Sequence, residues 1–418
     1  MNSTYTHDVL IVGGGISGLV VSIELARRGY KVLLLEYYPN FGGRIVTFRD
    51  PKIGQYEIGA GRIHKTHIHV HKLIEKYKLH TYPIISESSF ETPDKSNDFN
   101  ELFTPLRQVF EKTVNPNILA RNTIRSCLPE TYKHILDRFP YFAETNIMRA
   151  DLALSCFDSS KALGPSISKD AEEFVGITEG IDSLITNLVK EAEEAGVILK
   201  SRHRVHDIRR LDTNLFEITG SRGKKANEVR FQFQSRQVIL ATCRCSLGKF
   251  SVLNDAPLLK QLGTSPLLRI YAKYPSNKMG KIWFESLPKL VTTNSLRYII
   301  PINPETGLIM ISYTDGDDTL VWKDLDGAQL EAKIQSCLIE LFPDYDIPAP
   351  IYLQKHYWSG GCTYWLPGTY DLTKAAHEAM NPSPNLYIVG ESISQQQAWI
   401  EGALESAETF LSRFFGCT

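Results

Sequence analysis

Three glycines near the start of the chain have the spacing that lets a backbone turn hold phosphate groups. Gly13, Gly15 and Gly18 follow an apolar run and precede a helical pattern. In this setting the first glycine permits the turn, the second lets the backbone approach a pyrophosphate, and the third lets helix and strand pack closely. The first helical residues, Ile16 and Ser17, would turn free N–H groups towards the phosphates. The pattern predicts a dinucleotide site.

An acidic residue supports this prediction. Glu36 ends the next apolar run, 31–35, at about the spacing of twenty residues expected after such a turn. Its carboxylate would accept hydrogen bonds from the ribose hydroxyls of an adenosine. The alternative is a strand–helix turn without a ligand, and the coincidence of strand, turn, helix and acid speaks against it.

The residues after Glu36 distinguish between nicotinamide and flavin dinucleotides. Gly42, Gly43 and Arg44 resemble the second FAD-contacting stretch of the flavin-containing amine oxidase superfamily, the monoamine and polyamine oxidase type. In that family the glycines bring the backbone near the ribityl and phosphate groups, and the arginine supports them. A simple nicotinamide dehydrogenase has no reason to carry this stretch. The resemblance therefore implies FAD as the cofactor.

Further segments resemble the family's cofactor contacts and occur in the same order. Ala60, Gly61, Arg62 and Ile63 resemble the segment beside the isoalloxazine ring, and Val205 resembles the valine that contacts the adenine. Gly390 and Glu391 resemble the strand near the end of the chain that holds the ribityl and pyrophosphate groups. Trp399 and Ile400 resemble the start of the last helix. Together they imply a complete FAD site.

Three side chains are candidates for the substrate side of the flavin. Trp399 matches an aromatic-cage position and would guide an amine towards flavin N5. His64 stands where polyamine-oxidising relatives have a histidine, and an imidazole there would hydrogen-bond the amine or take a proton. Tyr364 belongs to the late segment that resembles the one lying against the flavin.

Arg269 is the main departure from the family. The family usually has a lysine here, which holds a water at flavin N5 and assists the reaction with oxygen. Arginine keeps the charge but is larger, planar and effectively never neutral. Arg269 is thus a candidate catalytic residue, and it leaves open whether oxygen is the electron acceptor.

Cys362 raises the question of covalent attachment. The segment 359–362, Ser-Gly-Gly-Cys, resembles the one that supplies a flavin-linked thiolate in mitochondrial monoamine oxidases. Here Thr363 replaces the tyrosine that follows in the family, and other members bind FAD without a covalent link. We predict that Cys362 contacts the flavin but does not bond to it.

Fold and domain organisation follow from the same patterns. The chain has 418 residues, more than one hydrophobic core usually organises, so two domains are expected. We predict an α/β fold, with a Rossmann-like FAD-binding domain (a parallel sheet with flanking helices) and a mixed α+β substrate domain. The FAD-binding domain would comprise 1–81, 176–265 and 358–418, and the substrate domain 82–175 and 266–357. The polar, proline-rich stretch 82–175 predicts short helices and loops.

Composition excludes several classes of partner. Lys plus Arg number 46 and Asp plus Glu number 47, a balance without the general field that attracts nucleic acid or an anionic membrane. No stretch is long enough to cross a bilayer. The seven cysteines are scattered; only Cys243 and Cys245 are close, and their spacing matches neither a zinc finger nor a CxxC motif. These features predict a soluble, cytoplasmic protein with reduced thiols.

Alternating histidines give the one pattern that resembles a metal site. His67, His69 and His71 enter a predicted helix, 70–77, without a nearby carboxylate cluster. Residues two apart do not share a face of a helix. We therefore predict solvated histidines and no metal.

The resemblance implies the reaction. A hydride would pass from the carbon next to an unprotonated amine to flavin N5, the imine would hydrolyse, and O2 would be reduced to hydrogen peroxide. The expected partners are a small-molecule amine and O2. One alternative is a desaturase or dehydrogenase of the same fold that acts on C–C or C–O bonds with another acceptor. Another is a flavoprotein that has lost catalysis. The stretch 82–175 resembles nothing we can name, so the sequence does not identify the amine.

Overall fold

The dinucleotide turn is carried by a seven-stranded sheet. The structure is a computed structural model that describes residues 6–84, 88–90, 115–137, 140–156, 174–212, 214–223 and 228–416. In spatial order the strands are His203–Asp212, Leu215–Arg222, Val229–Leu240, Thr6–Val12, Val32–Leu35 and Ile198–Lys200, and Leu386–Ile388 also pairs with Val229–Leu240. The strands around Thr6–Val12 are parallel. Every residue of Val32–Leu35 is buried, as expected for a parallel sheet covered on both faces.

Three long helices pack on this sheet and on one another. They are Ile16–Arg27, Ser183–Glu194 and Ile400–Phe415. Their apolar faces and the sheet form the largest hydrophobic core of the chain. The predicted helices and strands of this region agree with the observed ones to within a few residues, because each one has an uninterrupted apolar face.

One strand differs from the sequence prediction. The patterns 229–233 and 238–241 suggest two strands, but Val229–Leu240 is a single strand of 12 residues. Its first half pairs antiparallel with Leu215–Arg222 and its second half parallel with Thr6–Val12. The polar residue in the middle, Ser235, is fully buried, and its hydroxyl donates to the carbonyl oxygen of Gln237 at 2.7 Å. Because this hydroxyl is satisfied inside the sheet, the polar interruption does not end the strand.

A second sheet of six strands covers the cavity described below. Its spatial order is Tyr352–Trp365, Leu262–Lys273, Leu308–Asp315, Tyr298–Asn303, Lys289–Val291 and Ser88–Phe90. Neighbouring strands are antiparallel except for the last pair. The helix Gly327–Leu341 packs on one face around the buried Trp322. The molecule thus has an α/β nucleotide-binding fold together with a mixed sheet-and-helix region.

Two small sheets and a set of shorter helices complete the described chain. The sheets comprise Thr47–Asp50 with Gly54–Glu57, and Ile63–His64 with Phe174–Ile177 and Thr81–Ile84. The helices are Ile68–Lys76, Pro116–Arg121, Ile124–Cys127, Glu130–Leu136, Phe142–Asn146, Ala150–Cys156, Arg244–Leu247, Leu258–Gln261 and Leu372–Met380. The prediction of short helices within 82–175 agrees with its described parts; 85–87, 91–114, 138–139 and 157–173 lie outside the described residues. The division into two discontinuous domains stays a prediction.

Candidate functional site

A cavity of about 1380 Å³ lies between the two large sheets. It opens at the carboxyl ends of the parallel strands, where α/β sheets bind their ligands. Its volume exceeds the roughly 300–1,000 Å³ of a typical small-molecule pocket. Every site residue predicted from the sequence lines it except Gly18, Ile63 and His64.

The glycine turn has the geometry that a bound pyrophosphate requires. Gly13 has φ +110°, and a Cβ there would lie 2.3 Å from the carbonyl oxygen of Ala241. A Cβ at Gly18 would lie 2.2 Å from the carbonyl oxygen of Gly13, so the helix packs directly on the turn. A Cβ at Gly15 would meet no protein atom within 4 Å. Gly15 faces open cavity, where phosphates can approach its backbone.

The second glycine stretch and the acid at the strand end adjoin this turn. The N–H of Gly42 donates to the carbonyl oxygen of Gly14 at 2.8 Å. The Glu36 carboxylate accepts hydrogen bonds from the backbone N–H of Gly14 at 2.8 Å and of Tyr38 at 2.7 Å. Burial raises the pKa of Glu36. These bonds fix the carboxylate at the cavity wall, and its contact with a ribose stays a prediction.

Arg44 and Glu391 form an ion pair in the cavity lining. The Arg44 guanidinium donates to the Glu391 carboxylate and, at 2.9 Å, to the carbonyl oxygen of Gly361. Glu391 is only 6% exposed, and within the described chain its Oε2 has no hydrogen-bond partner. A buried carboxylate oxygen that faces the cavity without a partner indicates a missing donor. The hydroxyls of a ribityl chain fit that requirement.

Together these features are compatible with bound FAD. The glycine turn, the helix start at Ile16 and the Glu36 carboxylate suit an adenosine and pyrophosphate. Arg44 and Glu391 would hold the ribityl and pyrophosphate groups of the cofactor. The segments around Gly61 and Trp399 also line the cavity and would lie near the isoalloxazine ring.

Arg269 is held by hydrogen bonds next to the segment around Gly61, which resembles the family's segment beside the isoalloxazine ring. Its Nη1 donates to the carbonyl oxygen of Glu57 at 2.9 Å and to that of Gly59. The guanidinium carbon lies 5.2 Å from the ring centroid of Tyr313, and Nε has no partner among the described residues. A fixed positive charge therefore lies beside the segment 59–61.

Arg62 supplies another positive charge to the cavity lining. Its guanidinium carbon lies 4.6 Å from the ring centroid of Phe174 and 5.5 Å from that of Trp399. The ion pairs found in the described part of the chain include none between Arg62 and a carboxylate. The aromatic rings hold the guanidinium in place without neutralising it.

The cavity lining also includes groups that the sequence patterns did not indicate. Glu144 and Asp315 approach each other there, and Asp315 accepts hydrogen bonds from the N–H groups of Phe142 at 3.0 Å and Ala143 at 2.8 Å. Burial raises the pKa of Glu144 to about 7. Burial and then the charge of Arg62 lower the pKa of Lys289 to about 7. No spacing rule predicts these contacts, since the residues come from distant parts of the chain.

His64 does not line the cavity. It is 3% exposed, its ring lies 4.8 Å from that of Phe174, and its Nδ1 accepts a hydrogen bond from the N–H of Thr66 at 3.1 Å. The structure thus separates His64 from the other three predicted catalytic residues, Arg269, Trp399 and Tyr364, which line the cavity together. Its catalytic role stays a prediction.

The nearby histidines differ from the prediction of solvated side chains. His67 is 1% exposed, packs edge-on against Trp399 at 5.0 Å, and has a pKa lowered to about 3 by burial and by the neighbouring histidines. His69 lies between Glu401 at 2.6 Å and Glu408 at 2.5 Å. His67 is buried because the helix Ile68–Lys76 packs against the closing helix Ile400–Phe415.

Cys362 lines the cavity as a protonated thiol. Burial, followed by the charge of Glu391, raises its pKa to about 12. A protonated thiol is a poor nucleophile. We therefore expect that acid precipitation will release the flavin into the supernatant, where its absorbance can be measured. Flavin that remains in the wild-type pellet but is released from Cys362→Ala would contradict this prediction.

Two kinds of feature are absent from the described residues. No helix in this part of the chain has the length and apolar character needed to cross a membrane. Within the same residues, no group of three or more His, Cys, Asp or Glu side chains could hold a metal ion.

Comparisons with known proteins place this arrangement in context. A family model described as flavin containing amine oxidoreductase matches residues 16–163 and 133–409. An L-amino acid oxidase of Bothrops pictus is 23% identical over 95% of this chain and 88% of its own length. The putative L-amino-acid oxidase YobN of Bacillus subtilis (strain 168) is 24% identical over 97% of this chain and 94% of its own. The solved structure of cyclohexylamine oxidase from Brevibacterium oxydans IH-35A superposes with a TM-score of 0.72, at 18% identity, over 98% of this chain and 100% of that one.

Proposed function

The chain belongs to the flavin containing amine oxidoreductase family, and from this premise we propose that it oxidises the CH–NH bond of an α-amino acid, with O2 as the final electron acceptor. Its cofactor is FAD, which when bound supplies the acceptor for the hydride of the substrate. The residues of the chain bind and orient the substrate, exclude water and set the charge of the cavity.

Arg62 is the single observation that carries the choice of substrate class. Its guanidinium lies in the cavity against two aromatic rings, and the described residues provide it with no carboxylate. An arginine fork binds a carboxylate through two parallel hydrogen bonds, which fixes orientation as well as position. A simple amine offers nothing to this charge. The names of the two relatives, an L-amino acid oxidase and a putative L-amino-acid oxidase, support the same class.

The other wall residues would complete the substrate site. Trp399 and Phe174 present ring faces next to Arg62, so the carbon that carries the amine would lie between apolar surfaces. Apolar walls favour an unprotonated amine, because burial disfavours its charged form. Only the unprotonated amine can release a hydride from the neighbouring carbon.

Matched substrate pairs test the proposal. Each L-amino acid is compared with the amine that lacks only its carboxylate, for example L-phenylalanine with 2-phenylethylamine. We expect anaerobic bleaching of the flavin and aerobic peroxide release with the amino acids, and much slower reactions with the amines. Faster reaction of the amines would refute the carboxylate site. Anaerobic bleaching without peroxide release in air would favour the dehydrogenase alternative, which the arginine at position 269 first suggested.

Binding of the carboxylate should weaken as the pH rises through 7. Above this pH Lys289 loses its positive charge and Glu144 gains a negative one, because both have a pKa of about 7. Both changes make the cavity less positive. The probe is 3-phenylpropionate, a carboxylate without a titrating amine, and its Kd is read from the flavin spectrum between pH 6 and 8. We expect Kd to rise several-fold, and to rise less in Glu144→Gln. A Kd that falls with pH would contradict the assignment.

Arg269 should act on the oxidative half of the reaction. Its guanidinium is held by the carbonyl oxygens of Glu57 and Gly59, so its charge is already in place before oxygen arrives. Preorganised charge near a developing negative charge is worth about 10²–10³-fold in rate when one donor is removed. We expect Arg269→Met to slow reoxidation by air at least about 10-fold more than anaerobic reduction. Arg269→Lys, which keeps the charge, is the control. Equal effects of Arg269→Met on both half-reactions would show that the arginine has another role.

A further inference from the structure

Two thiols lie on the wall of the cavity and have no part in the proposed reaction. Cys243 and Cys245 follow the strand Val229–Leu240, are partly exposed, and line the cavity side by side. The two thiols are near enough that each shifts the pKa of the other. The sulfur of Cys245 also lies against Gly360, where an added Cβ would be 2.6 Å from it.

The surroundings make the two thiols chemically different. Cys243 Sγ lies 3.6 Å from the hydroxyl oxygen of Ser246 and is near the charge of Arg44. The interaction with Cys245 and these contacts lower the pKa of Cys243, whereas the interaction with Cys243 and burial raise the pKa of Cys245. The pair therefore combines a thiolate with a neighbouring thiol that can resolve its oxidation.

The position of the pair connects it with the cofactor. The charge of Cys243 acts on Glu36, Tyr38 and Arg44. Two of these, Glu36 and Arg44, are predicted to hold the nucleotide and the centre of FAD. A dinucleotide bound there would cover both sulfurs, and both are reachable from the cavity when it is absent.

We propose that Cys243 and Cys245 form a thiol-modification site in the cofactor cavity, which hydrogen peroxide converts to a disulfide when FAD is absent and which bound FAD shields. The Cys243 thiolate attacks one peroxide oxygen, the O–O bond breaks, and hydroxide leaves as a sulfenic acid forms. The Cys245 sulfur then attacks the Cys243 sulfur, an S–S bond forms, and water leaves with the proton of the thiol. Both sulfurs are oxidised and the peroxide is reduced.

One of the other described cysteines lies in a different setting. Cys127 lies outside the cavity lining, and burial raises its pKa. It is partly exposed like the pair, which makes it an internal control for reagent access.

Alkylation tests the shielding. Wild-type protein is treated with iodoacetamide in three states: with FAD, after removal of FAD, and after FAD is added back. Peptide mass spectrometry then gives the rate at Cys243 and Cys127. We expect modification of Cys243 to slow at least about 10-fold with FAD and again after reloading, with no change at Cys127. Equal rates at Cys243 in all three states would overturn the proposal.

Oxidation tests the disulfide. FAD-free protein is treated with hydrogen peroxide and digested with a protease that does not cut at Arg244, so that Cys243 and Cys245 stay in one peptide. A disulfide between them lowers the mass of this peptide by that of two hydrogens. We expect this product in wild type, and a sulfenic acid trapped at Cys243 in Cys245→Ser. Separate sulfinic acids at the two positions of the wild type, without any disulfide, would refute the pairing. Because neither measurement uses an amine substrate, both are independent of the proposed substrate class.

Discussion

Gly15→Val is expected to give a folded protein without flavin. The wild type should be yellow, with about one FAD per chain, and the variant colourless. The reason is that a Cβ at position 15 meets no protein atom within 4 Å, so the new side chain projects into the space that the pyrophosphate needs. Gly15 has φ −73°, a value open to any residue, so the substitution introduces no backbone strain. The measurements are the visible flavin spectrum and the Tm.

Gly13→Ala provides the contrast. Gly13 has φ +110° and its added Cβ would lie 2.3 Å from the carbonyl oxygen of Ala241, so this change should lower the stability of the fold itself. The Tm of Gly15→Val should instead match that of FAD-free wild type, because only the stabilisation by the bound ligand is lost. Flavin retained by Gly15→Val, or a Tm well below that of the FAD-free wild type, would show that the glycine has a different role.

The nucleotide end of the site could be predicted from the sequence because its residues are close along the chain. Gly13, Gly15 and Glu36 belong to one strand–helix–strand unit, whose geometry is fixed by backbone hydrogen bonds and helix packing. The strand Val229–Leu240, which the sequence patterns divide into two, shows where this reasoning fails. Alternation of apolar residues is lost at the buried Ser235, and only the tertiary structure shows that its hydroxyl is satisfied.

The substrate end could be predicted only in part. Arg62 and Trp399 were found through their resemblance to family segments, but their contact with Phe174 depends on the small sheet that pairs Ile63–His64 with Phe174–Ile177. Those two strands are more than a hundred residues apart, and two-residue strands have no periodicity to detect. For the same reason Glu144 and Lys289, each set in a short element, gave no signal.

Replacement of Arg62 should change the substrate preference of the protein more than any other single substitution in the cavity. In Arg62→Met the side chain keeps much of its length and its packing against Phe174 and Trp399, but the charge is lost. Removal of one partner from a buried, hydrogen-bonded charge pair costs about 2–5 kcal/mol. We therefore expect the KM for L-amino acids and the Kd of 3-phenylpropionate to rise about 100-fold or more. The matched amines, which lack the carboxylate, should be oxidised at unchanged or higher rates.

Arg204→Met is the matched control, since Arg204 also lines the cavity and also packs its guanidinium on an aromatic ring, that of Tyr37 at 5.5 Å. It lies at the nucleotide end, beside Val205. Loss of charge there should leave the ratio of amino acid to amine oxidation as in the wild type. A general effect of cavity charge would instead shift this ratio in both variants. If the ratio of amino acid to amine oxidation stays constant in Arg62→Met while both rates fall, Arg62 stabilises the part of the cavity that holds the flavin ring and does not bind the carboxylate. Other residues would then determine the choice of substrate.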